Sequence, residues 1–317
     1  MVGSPVCRYN THTGSPAGTE AEASGMQDTS IVEIDLDAVT HNIGVIRRLV
    51  GPSCDICPVV KADAYGLGAP RIARTLAQAG VHMLAVYTPE QAADLFRAAI
   101  DRPVLLMMPF RGLDRSDELY RALVRGRLHL AVHDDEHLGD LIAVADRFGL
   151  RLPLHLEIDT GMSRGGIRPE HAGAVLERIA RCPRLHLAGV FTHFASAESD
   201  LRATAEQNAV FDEFLEAHRA LIPDDCLVHA ANSCAVIRSA DFHRRMVRIG
   251  QAWAGFGVEW IGPGERLAGA EDLRPAVTWR SSIVQIKHIP AGSPVGYGST
   301  WIAPRDAVVG LVPVGYA

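Results

Sequence analysis

The chain has 317 residues, 48% of them hydrophobic and 21% charged, which is enough apolar material for a large core and excludes a mostly disordered protein. A formal net charge of −6 offers no general attraction for nucleic acid or an anionic membrane, and no apolar run approaches the length that spans a bilayer. What remains is a soluble globular protein.

Residues 1–29 are rich in Ser, Gly, Thr and Glu, lack the apolar core of a secretion signal, and are expected to form a disordered leader of a cytoplasmic protein. A short strand, Ile31 to Asp35, then precedes a helix-spaced stretch from Leu36 to Val50, with Asp37 placed to cap it. Strand-like runs follow near 56–61, 82–86, 103–107, 128–133, 152–159, 185–192, 227–231 and 246–250. Helical segments separate most of them, such as Pro89 to Ile100, Asp134 to Phe148, Pro169 to Arg181 and Asp200 to Leu221. Eight strands alternating with helices predict an α/β fold, a (β/α)8 TIM barrel over residues 30–262. A doubly wound open sheet is the alternative, and the lack of a G-x-G-x-x-G after an early strand counts against it.

Beyond Leu273 the texture changes. Ser281 to Ile289 alternates like a half-exposed strand, Pro290-Ala291-Gly292 turns, and Val308 to Val314 is another strand, so a β-rich domain is expected over 273–317. The chain stops at Ala317 directly after an apolar run, which predicts a partial, truncated version of that domain. The six cysteines (Cys7, Cys54, Cys57, Cys182, Cys226, Cys234) are scattered, and Cys54-x-x-Cys57 has neither a second pair nor a nearby His, so free thiols are expected and no metal site.

Chemistry concentrates at the carboxyl ends of the predicted strands. Lys61 ends an apolar run before a glycine-rich turn and a helix-spaced segment, where it either snorkels to water or, stripped of its proton, forms a Schiff base with an aldehyde. Along the fifth strand His155, Glu157 and Asp159 share one face, with Arg164 as the nearest candidate partner for a buried carboxylate. His193 and His229 stand on the sixth and seventh strands, and Arg248 on the eighth.

The string Val59-Val60-Lys61-Ala62-Asp63-Ala64-Tyr65-Gly66-Leu67-Gly68 closely resembles the cofactor-lysine motif of bacterial alanine racemases, pyridoxal 5'-phosphate (PLP) enzymes built on a (β/α)8 barrel. Further likenesses follow in the family's order: Asp159-Thr160-Gly161-Met162-Ser163-Arg164, Thr192-His193-Phe194-Ala195, His229-Ala230-Ala231-Asn232-Ser233, Val247-Arg248-Ile249-Gly250, and Val295-Gly296-Tyr297-Gly298-Ser299-Thr300.

The resemblance implies a PLP-dependent racemase interconverting L- and D-alanine, as a homodimer with shared active sites. Lys61 and Tyr297 are the implied catalytic bases on opposite faces of the substrate, with Tyr297 reaching the partner subunit's site. The implied cofactor contacts are Lys61 at the aldehyde, Arg164 at the phenolic oxygen, and His193 beside the ring. Arg248 would face the pyridine nitrogen, and Tyr65, Ser233 and the amides of Gly250 and Gln251 the phosphate. Arg164 would also place the substrate carboxylate. Because guanidinium does not give up a proton, Arg248 would leave the pyridine nitrogen unprotonated and weaken the electron sink, which favours racemisation over side reactions. A bacterial member supplies D-alanine for peptidoglycan. The competing readings are a racemase of serine or another amino acid, and a catalytically impaired PLP carrier. Glu157 departs from the family, many members of which carry a carbamylated lysine there. Direct pairing of Glu157 with Arg164 is the expectation. The family's Cys-Met-Asp segment and its late phosphate-binding tyrosine have no counterpart up to Ala317.

Overall fold

The structure, a computed structural model, describes residues 6–10 (backbone only), 29–256 and 270–315. They fall into two compact units, residues 37–275 and a β-rich unit made of the chain up to Leu36 together with the chain from Ala276.

Two strands open the chain, β1 (Val6–Asn10) and β2 (Ser30–Asp35), and α1 (Leu36–Val50) follows. The barrel unit continues with β3 (Asp55–Pro58), the short turn α2 (Lys61–Gly66), α3 (Ala69–Gln78), β4 (Leu84–Val86), α4 (Pro89–Arg97), β5 (Val104–Leu106), α5 (Glu118–Val124), β6 (Leu128–Val132) and α6 (Asp135–Phe148). Then come β7 (Leu152–Glu157), α7 (Pro169–Arg181), β8 (Leu185–Phe191), α8 (Leu201–Ala217), β9 (Leu227–His229), α9 (Ser233–Arg238) and β10 (Met246–Ile249). Strands β3 to β10 form one parallel eight-stranded sheet in the order β3-β10-β9-β8-β7-β6-β5-β4. A parallel bridge between Val59 and Ala85 joins its two ends. The expected barrel is therefore present, with all eight strands near their predicted positions.

Side-chain caps fix several helix starts above the strand ends. Thr88 and Gln91 form a capping box on α4, and Asp134, Asp200 and Asn232 accept N–H groups at the starts of α6, α8 and α9. Asp37 lies in the first turn of α1. The barrel interior has two halves. Cys57, Val59, Met83, Ala85, Leu105 and Met246 make an apolar cluster around β3, β4 and β5. Across it, His129, His155, Glu157, His229 and Arg248 project from β6, β7, β9 and β10, joined to one another or to neighbouring groups by hydrogen bonds and an ion pair. Such polar burial is tolerable only with partners in place.

In the β-rich unit, β1 and β11 (Val277–Ser281) flank β2 in an antiparallel sheet. Then β12 (Gln285–Ile289) pairs with β15 (Ala307–Leu311), and β13 (Pro294–Val295) with β14 (Trp301–Ile302). Three expectations change here. The leader contains a strand at Val6–Asn10, because β2 leaves an open backbone edge that β1 pairs with. The strand at Ile31–Asp35 groups with the β-rich unit and not with the barrel, since its sheet partners are β1 and β11. The run Ser281 to Ile289 is two strands in two sheets, interrupted at residues 282–284. The rest of the leader and the expected barrel end near 262 lie outside the described residues. Among the described residues no helix is long and apolar enough to cross a membrane, no cluster of metal-ligating side chains occurs, and Cys54, Cys57, Cys182, Cys226 and Cys234 are free thiols.

Candidate active site

A cavity of roughly 1020 Å³ opens at the carboxyl ends of the barrel strands, where functional sites of this architecture are built. Lys61, Tyr65, Arg164, His193, Ser233, Arg248, Gly250 and Gln251 all line it, so eight of the nine predicted site residues meet in one place. The ninth, Tyr297, belongs to the β-rich unit, where it sits in a short 3-10 turn (Tyr297–Ser299) and is 96% exposed.

Lys61 is carried by an unusual backbone. Ala62, Asp63, Ala64 and Tyr65 all have φ between 50° and 61°, a complete left-handed turn without a glycine inside it. Each such residue costs roughly 1–2 kcal/mol relative to right-handed backbone. The turn is held from both ends. Fully buried Trp253 donates its indole N–H to the Val59 carbonyl (3.0 Å), and the Asp63 carboxylate accepts from the Ala69 amide (2.6 Å) while its carbonyl accepts from Gly68 (3.0 Å). Sustained strain of this kind at a cavity wall is characteristic of functional positions. The turn aims the Tyr65 hydroxyl at Gly250, where a Cβ would lie 2.5 Å from it. Burial raises the phenol's pKa, so it stays protonated and able to donate.

Next to Tyr65 is a cluster of donors. The amides of Gly250, Gln251 and Ala252 all point at Ser233 Oγ, at 3.0, 3.1 and 3.3 Å. One hydroxyl oxygen has two lone pairs, so three N–H groups exceed what it can satisfy, and the arrangement suits an anion with several oxygens.

Arg248, on β10, is 3% exposed, and among the described residues no carboxylate hydrogen-bonds to it. Nη1 donates to His229 Nδ1 (2.7 Å), and Nη2 donates to the Thr192 carbonyl (2.7 Å) and to His193 Nδ1 (3.2 Å). Its guanidinium also lies 5.1 Å from the centre of the Phe191 ring. Burial brings its pKa down to about 10, which leaves it cationic at neutral pH. Burial first, and then the charges of Arg248, Arg164 and Lys61, push His193 down to about 3, so its ring is neutral and accepts from Arg248.

The expected pairing of Glu157 with Arg164 is not formed. Glu157 Oε2 pairs instead with His133 Nδ1 at 2.7 Å, and His133 Nε2 donates to the Met107 carbonyl (2.6 Å). The reason is geometric: Glu157 ends β7 facing inward toward the end of β6, whereas Arg164 is exposed on a loop shaped by Asp159, which accepts from the Gly161 and Ser163 amides. Arg164 makes no hydrogen bond or ion pair among the described residues. His133 escaped notice in the sequence, although it follows a strand's carboxyl end just as His193 does.

The site fits PLP on its own chemistry. A lysine, a multi-amide anion cradle and a buried arginine hydrogen-bonded to neutral groups are what an aldehyde, a phosphate and a pyridine nitrogen need.

Comparison with known proteins agrees. The family model "Alanine racemase, N-terminal domain" matches residues 34–256, and "Alanine racemase, C-terminal domain" matches 276–317. An alanine racemase of Sorangium cellulosum is 37% identical over 291 residues, covering 90% of this chain and 74% of the relative. Among solved structures, the alanine racemase of D-cycloserine-producing Streptomyces lavendulae superposes with a TM-score of 0.80 at 30% identity, over 92% of this chain and 75% of that one. The Bartonella henselae alanine racemase with covalently bound pyridoxal phosphate gives 0.75 at 26%, over 92% and 76%. With both units matched in order and its strand-end residues gathered in one cavity, this chain belongs to the alanine racemase family.

Proposed function

We propose that the chain is a PLP-dependent racemase that interconverts L- and D-alanine, working in the cytoplasm as a homodimer with shared active sites and supplying D-alanine for peptidoglycan. The observation that carries this reading is the combination, in one cavity, of Lys61, the Ser233 amide cradle and a buried Arg248 whose hydrogen-bond partners among the described residues are all neutral. Free cysteines in the described residues agree with a reducing compartment.

PLP, when bound, withdraws electrons from the substrate's α-carbon and so acidifies the hydrogen there. Lys61 would hold the cofactor through its Nζ and would take or return the substrate's α-proton on one face. Tyr297 of a second copy serves the opposite face, and its exposure favours that role over packing within its own unit. Ser233, Tyr65 and the Gly250 and Gln251 amides would bind the phosphate. Arg248 would offer the pyridine nitrogen an N–H that it does not give up, leaving that nitrogen without a proton. Arg164, which makes no hydrogen bond or ion pair among the described residues, is available to the substrate carboxylate and the phenolic oxygen. His193 stays neutral beside the ring.

Absorbance of the purified chain with PLP, followed by chiral detection of D-alanine after L-alanine is added, tests the reading. A visible band that disappears in Lys61→Ala, with D-alanine formed only by the unmodified chain, is expected. A band without D-alanine means a carrier or a racemase of another amino acid, and racemisation that survives Lys61→Ala rejects the assignment of Lys61.

A further inference from the structure

A line of hydrogen bonds runs from Arg248 across the barrel interior and away from the cavity. Arg248 Nη1 meets His229 Nδ1 at 2.7 Å, His229 Nε2 meets His155 Nδ1 at 2.9 Å, and His155 Nε2 meets His129 Nδ1 at 2.9 Å. The four side chains come from β10, β9, β7 and β6. His155 and His229 are fully buried.

The direction of every bond follows from its first member. A guanidinium can only donate, so His229 Nδ1 must be the bare acceptor and its single proton must sit on Nε2. That proton makes His155 Nδ1 an acceptor and places the His155 proton on Nε2, and the same step fixes His129. Protonating any ring would set two donors against each other. Burial agrees, holding His129 down to about 4 and His155 and His229 well below the usual imidazole range.

The backbone is shaped to admit this line. His155 and His229 are on strands separated by β8, so their bond passes over β8's inner face, where Gly189 stands. A Cβ at Gly189 would lie 2.2 Å from His155 Nδ1. The register between β7 and β8 slips between Leu154 and His155, which re-aims the ring.

We propose that His229, His155 and His129 are positioning residues for Arg248: their one-way hydrogen-bond line locks His229 into the tautomer that accepts from the guanidinium and thereby holds the arginine toward the cofactor's pyridine nitrogen. Without His155, the His229 Nε2–H loses its acceptor and only the Arg248 N–H still holds the tautomer, so the alternative with the proton on Nδ1, which faces and displaces the guanidinium, comes closer in energy. The proposal rests on the PLP reading only for its last clause. The tautomer of His229 is a property of the chain alone.

The test uses 15N-histidine NMR of the cofactor-free chain together with PLP titration. The unmodified chain should show His229 only as the Nε2–H form. His155→Leu should give mixed His229 tautomers and about tenfold weaker PLP binding, while His155→Gln, which can accept and donate in line, should restore both. A single Nε2–H form at His229 in His155→Leu with PLP affinity unchanged would overturn the proposal, however much the melting temperature fell. If His155→Leu does not fold, Gly189→Ala, which presses on the same ring nitrogen, is read in the same two ways. A failure of the PLP reading is visible separately, as the lack of a Lys61-dependent band in the unmodified chain, and leaves the tautomer result to decide the line itself.

Discussion

At the scale of residues, the groups that matter are held by geometry that a sequence motif does not spell out. Lys61 was legible because its string is distinctive, but Ala-Asp-Ala-Tyr has ordinary right-handed propensity, and only the anchors at Val59, Gly68 and Ala69 make it left-handed. Ala62 is exposed, as are Asp63 and Tyr65 of the same turn. Ala62→Gly should therefore leave thermal stability unchanged or raise it, whereas Ala62→Val should cost about 1–2 kcal/mol in urea unfolding, because a β-branched side chain tolerates positive φ poorly. Equal effects would contradict the strain assigned to the turn. Ser233 is a second case. Removing its hydroxyl leaves three convergent amides without their acceptor and takes a donor from the phosphate, so Ser233→Ala should weaken PLP binding about tenfold by fluorescence titration. The Glu157–Arg164 expectation failed because the alternation on β7 told which face Glu157 occupies and nothing about the loop that carries Arg164.

Among elements, period and spacing read the eight barrel strands and most helices correctly, since buried parallel strands are short apolar runs with capped helices between them. Pairing partners are non-local and left no such trace. That β2 belongs with β11 depends on pairing between residues about 250 positions apart, such as Trp279 Nε1 to Ser30 Oγ at 2.9 Å, and that residues 281–289 span two sheets depends also on the pairing of β12 with β15. The strands β6, β7 and β9 also share a titration property. His129, His155 and His229 are held neutral by burial, with folded pKa values below the unfolded value near 6.5. Below that value the unfolded chain binds protons that the folded barrel refuses, so unfolding is favoured as pH falls. Stability should be flat in this respect above pH 7 and drop by about 1 kcal/mol per histidine at pH 5.5. Urea unfolding at both pH values checks this, and the part due to one ring should vanish in His155→Gln.

For the whole molecule, the β-rich unit exposes an unusual amount of apolar surface: Trp279, Ile283, Ile286, Ile302, Val308 and Leu311 are all more than half exposed, close in sequence to Tyr297. Surface of that kind is suited to self-association, which is what a shared active site needs. The two-base account makes each site depend on Lys61 of one subunit and Tyr297 of the other. The most direct measurement is to unfold and refold together equal amounts of Lys61→Ala and Tyr297→Phe chains, each nearly inactive alone, and assay D-alanine formation. Half the random dimers would be mixed, and each of those would contain one intact site, so the account predicts recovery of about a quarter of the unmodified activity. A mixture no more active than its two components, from chains shown to dimerise, would contradict it.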